Sequence, residues 1–250
     1  ASKDRSSEIE LQALSRMLTR MQRKMPPDLP ALAIPGNAPA QPIPQQQLQL
    51  VPQPGLSVEH GVLQHLQQAD APVFYVENCL INSLFGLLCW EAIFAALPGA
   101  FFHPYQRGPV DLLSSDFATR RQALFDACLA QLDNGDYQHT IRRHFQQKSG
   151  LQSPFVVWQV LTPELLELAL HCIPPADLRA KFQRLLQDPG NNRSGWPDLI
   201  QFFPQQGRYC MIEVKGPGDR LQDNQLRWMQ YFLQHQIPVQ VAWVSYQAAP

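Results

Sequence analysis

Between Trp196 and Lys215 the chain carries two carboxylates and an ammonium at a spacing that lets them meet. Asp198 follows Pro197, and one apolar run and one turn later come Glu213, Val214 and Lys215. Leu199, Ile200, Phe202 and Phe203 read as a strand, Pro204 to Gly207 as its turn, and Tyr209 to Val214 as the returning strand of a hairpin. Asp198 and Glu213 then face each other at one end of two paired strands. Side chains alternate along a strand, so Glu213 and Lys215 share one face while Val214 points to the opposite, apolar side. Hard divalent cations such as Mg²⁺ want oxygen ligands, and carboxylates bring both the oxygens and the compensating charge. A cation held this way polarises a phosphate and lowers the pKa of a bound water, while a nearby lysine orients that water or stabilises transition-state charge. The chemistry is metal-assisted phosphodiester hydrolysis.

A Pro-Asp step and a Glu-Val-Lys strand end are short enough to recur by chance, so the continuation carries weight. Gly216, Pro217 and Gly218 stop the strand, after which Leu221, Gln225, Trp228 and Phe232 recur at helical spacing. A polar Gln225 on that inward stripe is odd for packing and sensible for a site.

The run Gly195 to Asp198, the Glu213 to Pro217 strand end, the Asp219-Arg220-Leu221 step and the Gln225 to Trp228 spacing form ordered blocks. Upstream stand Glu77, the run Phe85 to Phe94, Pro109 to Leu112, and Phe117 with Arg120 and Arg121. Together they resemble the virus-type replication-repair nuclease domain of the PD-(D/E)xK superfamily, and within it the Fanconi-associated nucleases. The likeness covers roughly residues 57–247, and several blocks in order are far more specific than one motif.

The resemblance implies an α/β fold with a restriction-endonuclease-like core, a small mixed sheet wrapped by helices. It implies that Glu77, Asp198 and Glu213 bind Mg²⁺ or Mn²⁺, that the Val214 carbonyl completes the shell, that Lys215 assists catalysis and that Gln225 matches the family glutamine. The implied activity is endonucleolytic cutting near 5′ flaps and 5′ to 3′ exonucleolysis, at interstrand cross-links, with a 5′ phosphate as product. The expected partner is flapped or branched DNA. Family members also carry a helical DNA-binding domain and a pocket for a terminal phosphate, for which a 250-residue chain has no room. The expectation is a fragment of a larger nuclease or a shortened relative. A dimeric junction resolvase, or a module that binds DNA structures without cutting them, stays open beside this reading.

Composition fits a globular protein: hydrophobic residues make up 45% and charged ones 16%, enough apolar side chains for one sizeable core. The formal net charge of -1 gives no global attraction to nucleic acid, so contacts must come from local basic clusters. Arg120 with Arg121, Arg142 with Arg143, and Arg220 with Arg227 are the DNA-binding candidates. Cys79, Cys89, Cys128, Cys172 and Cys210 form no close pair in sequence, which argues against a zinc ribbon or disulfide framework and for a reducing, intracellular compartment. If so, the place is the cytoplasm or nucleoid in a bacterium and the nucleus in a eukaryote. The pairs His60/His65 and His139/His144 lack the companions of a zinc site. No organic cofactor is expected. Glu91 and Asn82 argue against a membrane span in the apolar stretch Cys79 to Leu97, and a buried helix with Glu77 near its N-terminal end explains it better.

Three segments are expected along the chain. Residues 1–25 form an amphipathic helix with a Ser7/Glu10 capping box, an apolar seam through Leu11, Leu14, Leu18, Met21 and Met25, and a basic face. Residues 26–56, rich in proline and glutamine, form a linker or loop. Residues 57–250 form the nuclease domain. Within it helices are expected at Leu56 to Leu66, Phe117 to Leu132, Tyr137 to Gln147, Pro163 to Cys172, Pro175 to Leu186 and Gln222 to His235. An extended run is expected at Phe155 to Leu161 and a last strand at Val239 to Val244, with the site at the sheet edge.

Overall fold

The computed structural model describes residues 8–26 and 41–247. The chain divides into two compact units at Pro42. The described part of the first unit holds one helix, α1 (Glu8–Gln22), with Arg20 in its last turn. Ser7 of the expected capping box lies outside the described residues.

The second unit is built on a five-stranded sheet of order β1-β5-β4-β3-β2. Its first strand, β1 (Gln45–Leu50), falls inside the stretch expected to be linker and pairs in parallel with β5 (Val239–Tyr246). The composition of QQQLQL hid it: only Leu48 and Leu50 carry the apolar alternation, and both are buried. Next come α2 (Val58–Leu66) and β2 (Val73–Tyr75). Ser57 caps α2 by accepting from the His60 amide at 3.3 Å, while the His60 ring bonds the same hydroxyl at 2.9 Å.

The apolar stretch after Glu77 is two helices, α3 (Leu80–Leu88) and α4 (Trp90–Ile93), broken at Cys89. Then follow α5 (Phe117–Arg120), α6 (Gln122–Asn134), α7 (Asp136–Gln147), α8 (Pro163–Cys172) and α9 (Pro175–Gln187). The run expected to be extended, Phe155 to Leu161, is bends and turns with no strand. Its apolar residues fill the helical core instead, with Phe155 edge-on to Phe85.

The hairpin appears where its pattern puts it. Strands β3 (Leu199–Phe203) and β4 (Arg208–Lys215) pair antiparallel, and β4 then pairs in parallel with β5 across the crossover helix α10 (Asp223–Gln234). Alternation sorts the sheet's two faces. Ile200, Phe202, Tyr209, Met211 and Val241 face a large core with α3, α6, α8, α9 and α10. Leu199, Ile212, Val214, Ala242 and Val244 face a smaller cluster closed by Val62 of α2. Because β4 is the middle strand, Glu213 and Lys215 stand at the end of the sheet's centre, not at its edge. Among the described residues no helix is long and apolar enough to cross a membrane.

Candidate active site

Strand pairing alone brings the motif together. Leu199 is paired with Ile212, and one step further Asp198 and Glu213 stand opposite each other. The Asp198 Oδ2 accepts the Val214 amide at 2.8 Å, which locks the carboxylate to the end of β4. Glu213 is fully buried, and one of its oxygens, Oε1, receives Lys215 Nζ at 2.5 Å and Gln225 Nε2 at 2.5 Å. Its other oxygen, Oε2, is buried with no hydrogen-bond partner. Such an atom costs about 1–3 kcal/mol unless a ligand satisfies it.

Gln225 owes its orientation to the helix it starts. At the third position of α10, its Oε1 accepts the Gln222 amide at 2.9 Å in a capping box, which turns the amide nitrogen toward Glu213. The loop before Asp198 is pinned to the same helix. Trp196 packs at a tilt against Trp228 with ring centroids 3.8 Å apart, and Trp228 Nε1 donates to the Ser194 carbonyl at 3.1 Å. Gly195 sits there at φ +86, and a Cβ would stand 2.9 Å from Asn224, so both backbone and space demand glycine.

Glu77 joins from the far side of the sheet. Strand β2 pairs with β3, and the Val76 amide donates to the Asp198 carbonyl at 2.8 Å, which sets Glu77 beside Asp198. The chain then turns at Asn78, whose φ is +53, a conformation asparagine tolerates better than most residues. Glu77 therefore precedes helix α3 by a turn and is not part of its first turn. Its carboxylate accepts Tyr75 Oη at 2.5 Å and Asn78 Nδ2 at 3.1 Å. Tyr75, in turn, stacks on His60 of α2 at 5.6 Å.

Tyr75, Asn78 and Glu59 were not legible from the motif. The Val73 to Val76 run behind Pro72 carried a strand signal that places Tyr75 and Glu77 on one face. Burial raises the pKa of both Asp198 and Tyr75, and the charge of Glu59, half-buried on α2, adds to it.

The carboxylates crowd one another. Burial first, and then the Asp198 charge, push the Glu213 carboxyl up to about 8 against the opposing pull of Lys215. Burial pushes Asp198 up to about 6, opposed by the Val214 amide and by Lys215. No group of three or more histidine, cysteine, aspartate or glutamate side chains among the described residues is already gathered tightly enough to hold a metal ion. The donor set nevertheless fits a hard divalent cation: all ligating atoms are oxygens, and the buried Glu213 Oε2 has no other partner.

A cation held by these oxygens would compete with a proton for them. Mn²⁺ affinity, followed by calorimetry, should strengthen between about pH 6 and about pH 8 with release of protons. Without metal the sign reverses. A folded pKa raised above the ordinary carboxylate value gives stability present at low pH and lost as the pH rises through about 8, so metal-free melting should fall over that window. Equal Mn²⁺ affinity at both ends of the range would contradict the arrangement.

The basic residues divide sharply. Arg121 is buried and gives Asp111 two hydrogen bonds, and Arg120 reaches the same carboxylate. Arg142 pairs with Glu167, and Arg143 bonds His144. Arg120 and Arg121 tie α5 and its end to the Asp111 segment and Arg142 ties α7 to α8, whereas the Arg143 bond stays within α7. Arg227 is engaged in an interaction of its own, whereas Arg220 is exposed in the loop after Lys215.

A mixed sheet whose central hairpin ends in aspartate, glutamate and lysine, closed by a helix that supplies a glutamine, defines a metal-dependent nuclease domain of the restriction-endonuclease-like class. Residues 132–246 match the VRR-NUC domain. The chain is 56% identical over 241 residues to a Fanconi-associated nuclease 1 homolog of Pseudomonas aeruginosa, covering 96% of this chain and 42% of that one. A homolog from Schizosaccharomyces pombe is 31% identical over 76% of this chain and 27% of its own. The crystal structure of paFAN1 bound to 2nt 5′ flap DNA with gap superposes with a TM-score of 0.92 at 54% identity, over 99% of this chain and 44% of that chain. The chain belongs to the Fanconi-associated nuclease family and spans less than half the length of these relatives.

Proposed function

We propose that this chain is the catalytic domain of a structure-selective DNA nuclease that cuts near 5′ flaps and degrades DNA from 5′ to 3′ in interstrand cross-link repair. Its segments are the α1 helix and the nuclease domain, which takes in β1 from the stretch expected to be linker. The observation that carries this reading is the buried, partnerless Glu213 oxygen, set among Asp198, Lys215 and Gln225 at the end of the central strands. The related paFAN1 is a protein bound to 5′ flap DNA, and DNA is the partner proposed here. The other half of such a nuclease is the second.

Glu77, Asp198, Glu213 and the Val214 carbonyl would hold Mg²⁺ or Mn²⁺. When bound, the cation supplies Lewis-acid polarisation and charge neutralisation at the phosphate. Gln225 holds the Glu213 carboxylate in place through its own capped amide. The Lys215 ammonium, partly released from Glu213, donates to the attacking water and to the phosphate oxygens as negative charge builds. The water oxygen bonds to phosphorus as the in-line P–O3′ bond breaks; the attacking water gives up a proton to solvent, the departing 3′ oxygen takes one up, and the phosphate stays on the 5′ side of the product.

An assay of a 5′ flap, a four-way junction and a blunt duplex with and without Mg²⁺ tests the reading. Metal-dependent cutting of the flap ahead of the other two is expected. Preferential junction cutting by a dimer would replace it with a resolvase, and metal-independent binding without cleavage would replace it with a binding module.

Glu77 is tested by Glu77→Gln, which should fold normally, lose cleavage and lose the stabilisation that Mn²⁺ gives the parent. Cleavage at the parental rate would leave it a turn carboxylate held by Tyr75 and Asn78.

A further inference from the structure

Two arginines outside the Asp198 cluster converge on one piece of backbone. Arg107 donates from Nε to the Ser153 carbonyl at 3.1 Å, and Arg193 donates from Nη1 to the adjacent Pro154 carbonyl at 3.2 Å. The approach depends on Gly108, where a Cβ would stand 2.9 Å from the Pro154 ring. Arg193 is fixed further by its Nε bond to the Pro189 carbonyl at 2.8 Å and lies 5.5 Å from the Phe155 ring centre.

Among the described residues no carboxylate pairs with either side chain, in contrast to Arg120, Arg121, Arg142 and Arg179, which all pair with aspartate or glutamate. A guanidinium carries five N–H donors, and among the described residues three of the ten are spent, all on neutral carbonyls. Two like charges side by side with donors left over repel each other until an oxyanion sits between them. Burial and the Arg107 charge together lower the Arg193 pKa, in keeping with that crowding. A phosphate oxyanion matches the planar fork of a guanidinium and takes hydrogen bonds from two of them at once.

The pair is tied to the catalytic end of the sheet. Asn82 Nδ2 donates to the Arg193 carbonyl at 2.8 Å and to the Asn78 carbonyl at 2.8 Å, and Asn78 directly follows Glu77. Arg193 also lies five residues before Asp198. Five residues span at most about 18 Å, or about five nucleotides of one strand at about 3.4 Å each.

We propose that Arg107 and Arg193 form a clamp for an internal phosphodiester of the DNA strand, a few nucleotides from the bond cut beside Asp198. The clamp rests on the nuclease reading above and adds to it a place where the strand is held. The probe is a fluorescent 5′ flap DNA in Ca²⁺, which blocks cutting, with anisotropy read over a salt series. Arg107 is exposed, so Arg107→Ala should fold with the parental melting temperature, raise Kd on the order of tenfold and make the slope of log K against log salt shallower by about 0.9. Arg193→Lys keeps the charge and loses the fork, so Kd should rise while the slope stays near the parent's. Arg179→Ala, which breaks a pair with Asp133, should leave both unchanged.

Parental Kd and slope in Arg107→Ala would overturn the clamp, as would an equal loss in Arg179→Ala. A deficit confined to 5′-phosphorylated flaps and missing from 5′-hydroxyl ones would overturn the internal-phosphodiester assignment. A parent that cuts flaps while both variants bind as it does removes the clamp alone, whereas a parent that neither binds nor cuts removes the nuclease reading with it.

Discussion

Replacing Glu213 by glutamine is expected to lower cleavage by several orders of magnitude while the metal-free protein melts at or above the parental temperature. The two halves of that result have one cause. Glu213 is fully buried, its Oε2 lacks a partner, and burial with the Asp198 charge pushes its pKa up to about 8. A neutral amide relieves that crowding, so the fold gains or loses little. The same amide cannot supply an anionic oxygen, so the site no longer gathers enough negative charge for a divalent cation. Asp198→Asn should behave alike in cleavage, although its link to the Val214 amide makes it the more destabilising of the two. Thermal melting with and without Mn²⁺ reads the difference. A cation at 100 times its Kd stabilises a folded protein by about 2.7 kcal/mol, and both variants should lose that increment. DNA binding in Ca²⁺ should change little. Cleavage near the parental rate in either variant would sink the site.

Lys215→Ala should lower turnover on the order of 10²–10³-fold, the usual loss when one donor to a developing oxyanion is removed, while Mn²⁺ still raises the melting temperature. Lys215 bonds the Glu213 oxygen that Gln225 also bonds, so one donor remains to orient the carboxylate after the ammonium is gone. Lys215→Arg tests position as well as charge: its broader fork on β4 should restore little activity in so buried a place. A loss of Mn²⁺ affinity as large as that of Asp198→Asn would contradict the division of labour, because Lys215 would then be holding the ligands together and not acting on the phosphate.

These effects are large because the site conflicts with ordinary folding preferences. Two buried carboxylates face one another across strands whose other buried residues are mostly apolar, Leu199, Ile200, Phe202, Met211, Ile212 and Val214 among them. A chain selected for stability alone would place apolar side chains there. The conflict was visible in sequence at Gln225, a polar residue on an otherwise apolar helical stripe. The structure shows how it is reconciled, since the capping box that starts α10 uses the same amide that steadies Glu213.

The hairpin and its chemistry were legible because they are local. Alternation over Leu199 to Phe203 and Tyr209 to Lys215 fixes which side chains share a face, and a tight turn sets the register that brings Asp198 opposite Glu213. The helices α8, α9 and α10 were legible for the same reason, with Thr162 capping one of them and prolines near the N-termini of two. Glu77 was not legible from physics: it stands 121 positions before Asp198, and it drew its role from the ordered family blocks. Only the pairing of β2 with β3 puts it in place. The glutamine-rich β1 was missed because its partner, β5, lies almost two hundred residues away and supplies the backbone hydrogen bonds that its composition does not advertise. The arginines show the same limit. Sequence counts the charges, but the carboxylates that neutralise Arg120, Arg121 and Arg142, and the carbonyls that leave Arg107 and Arg193 with donors to spare, belong to other segments. Short-range periodicity is written in the chain itself, whereas the neighbour of a given side chain is decided when distant segments pack.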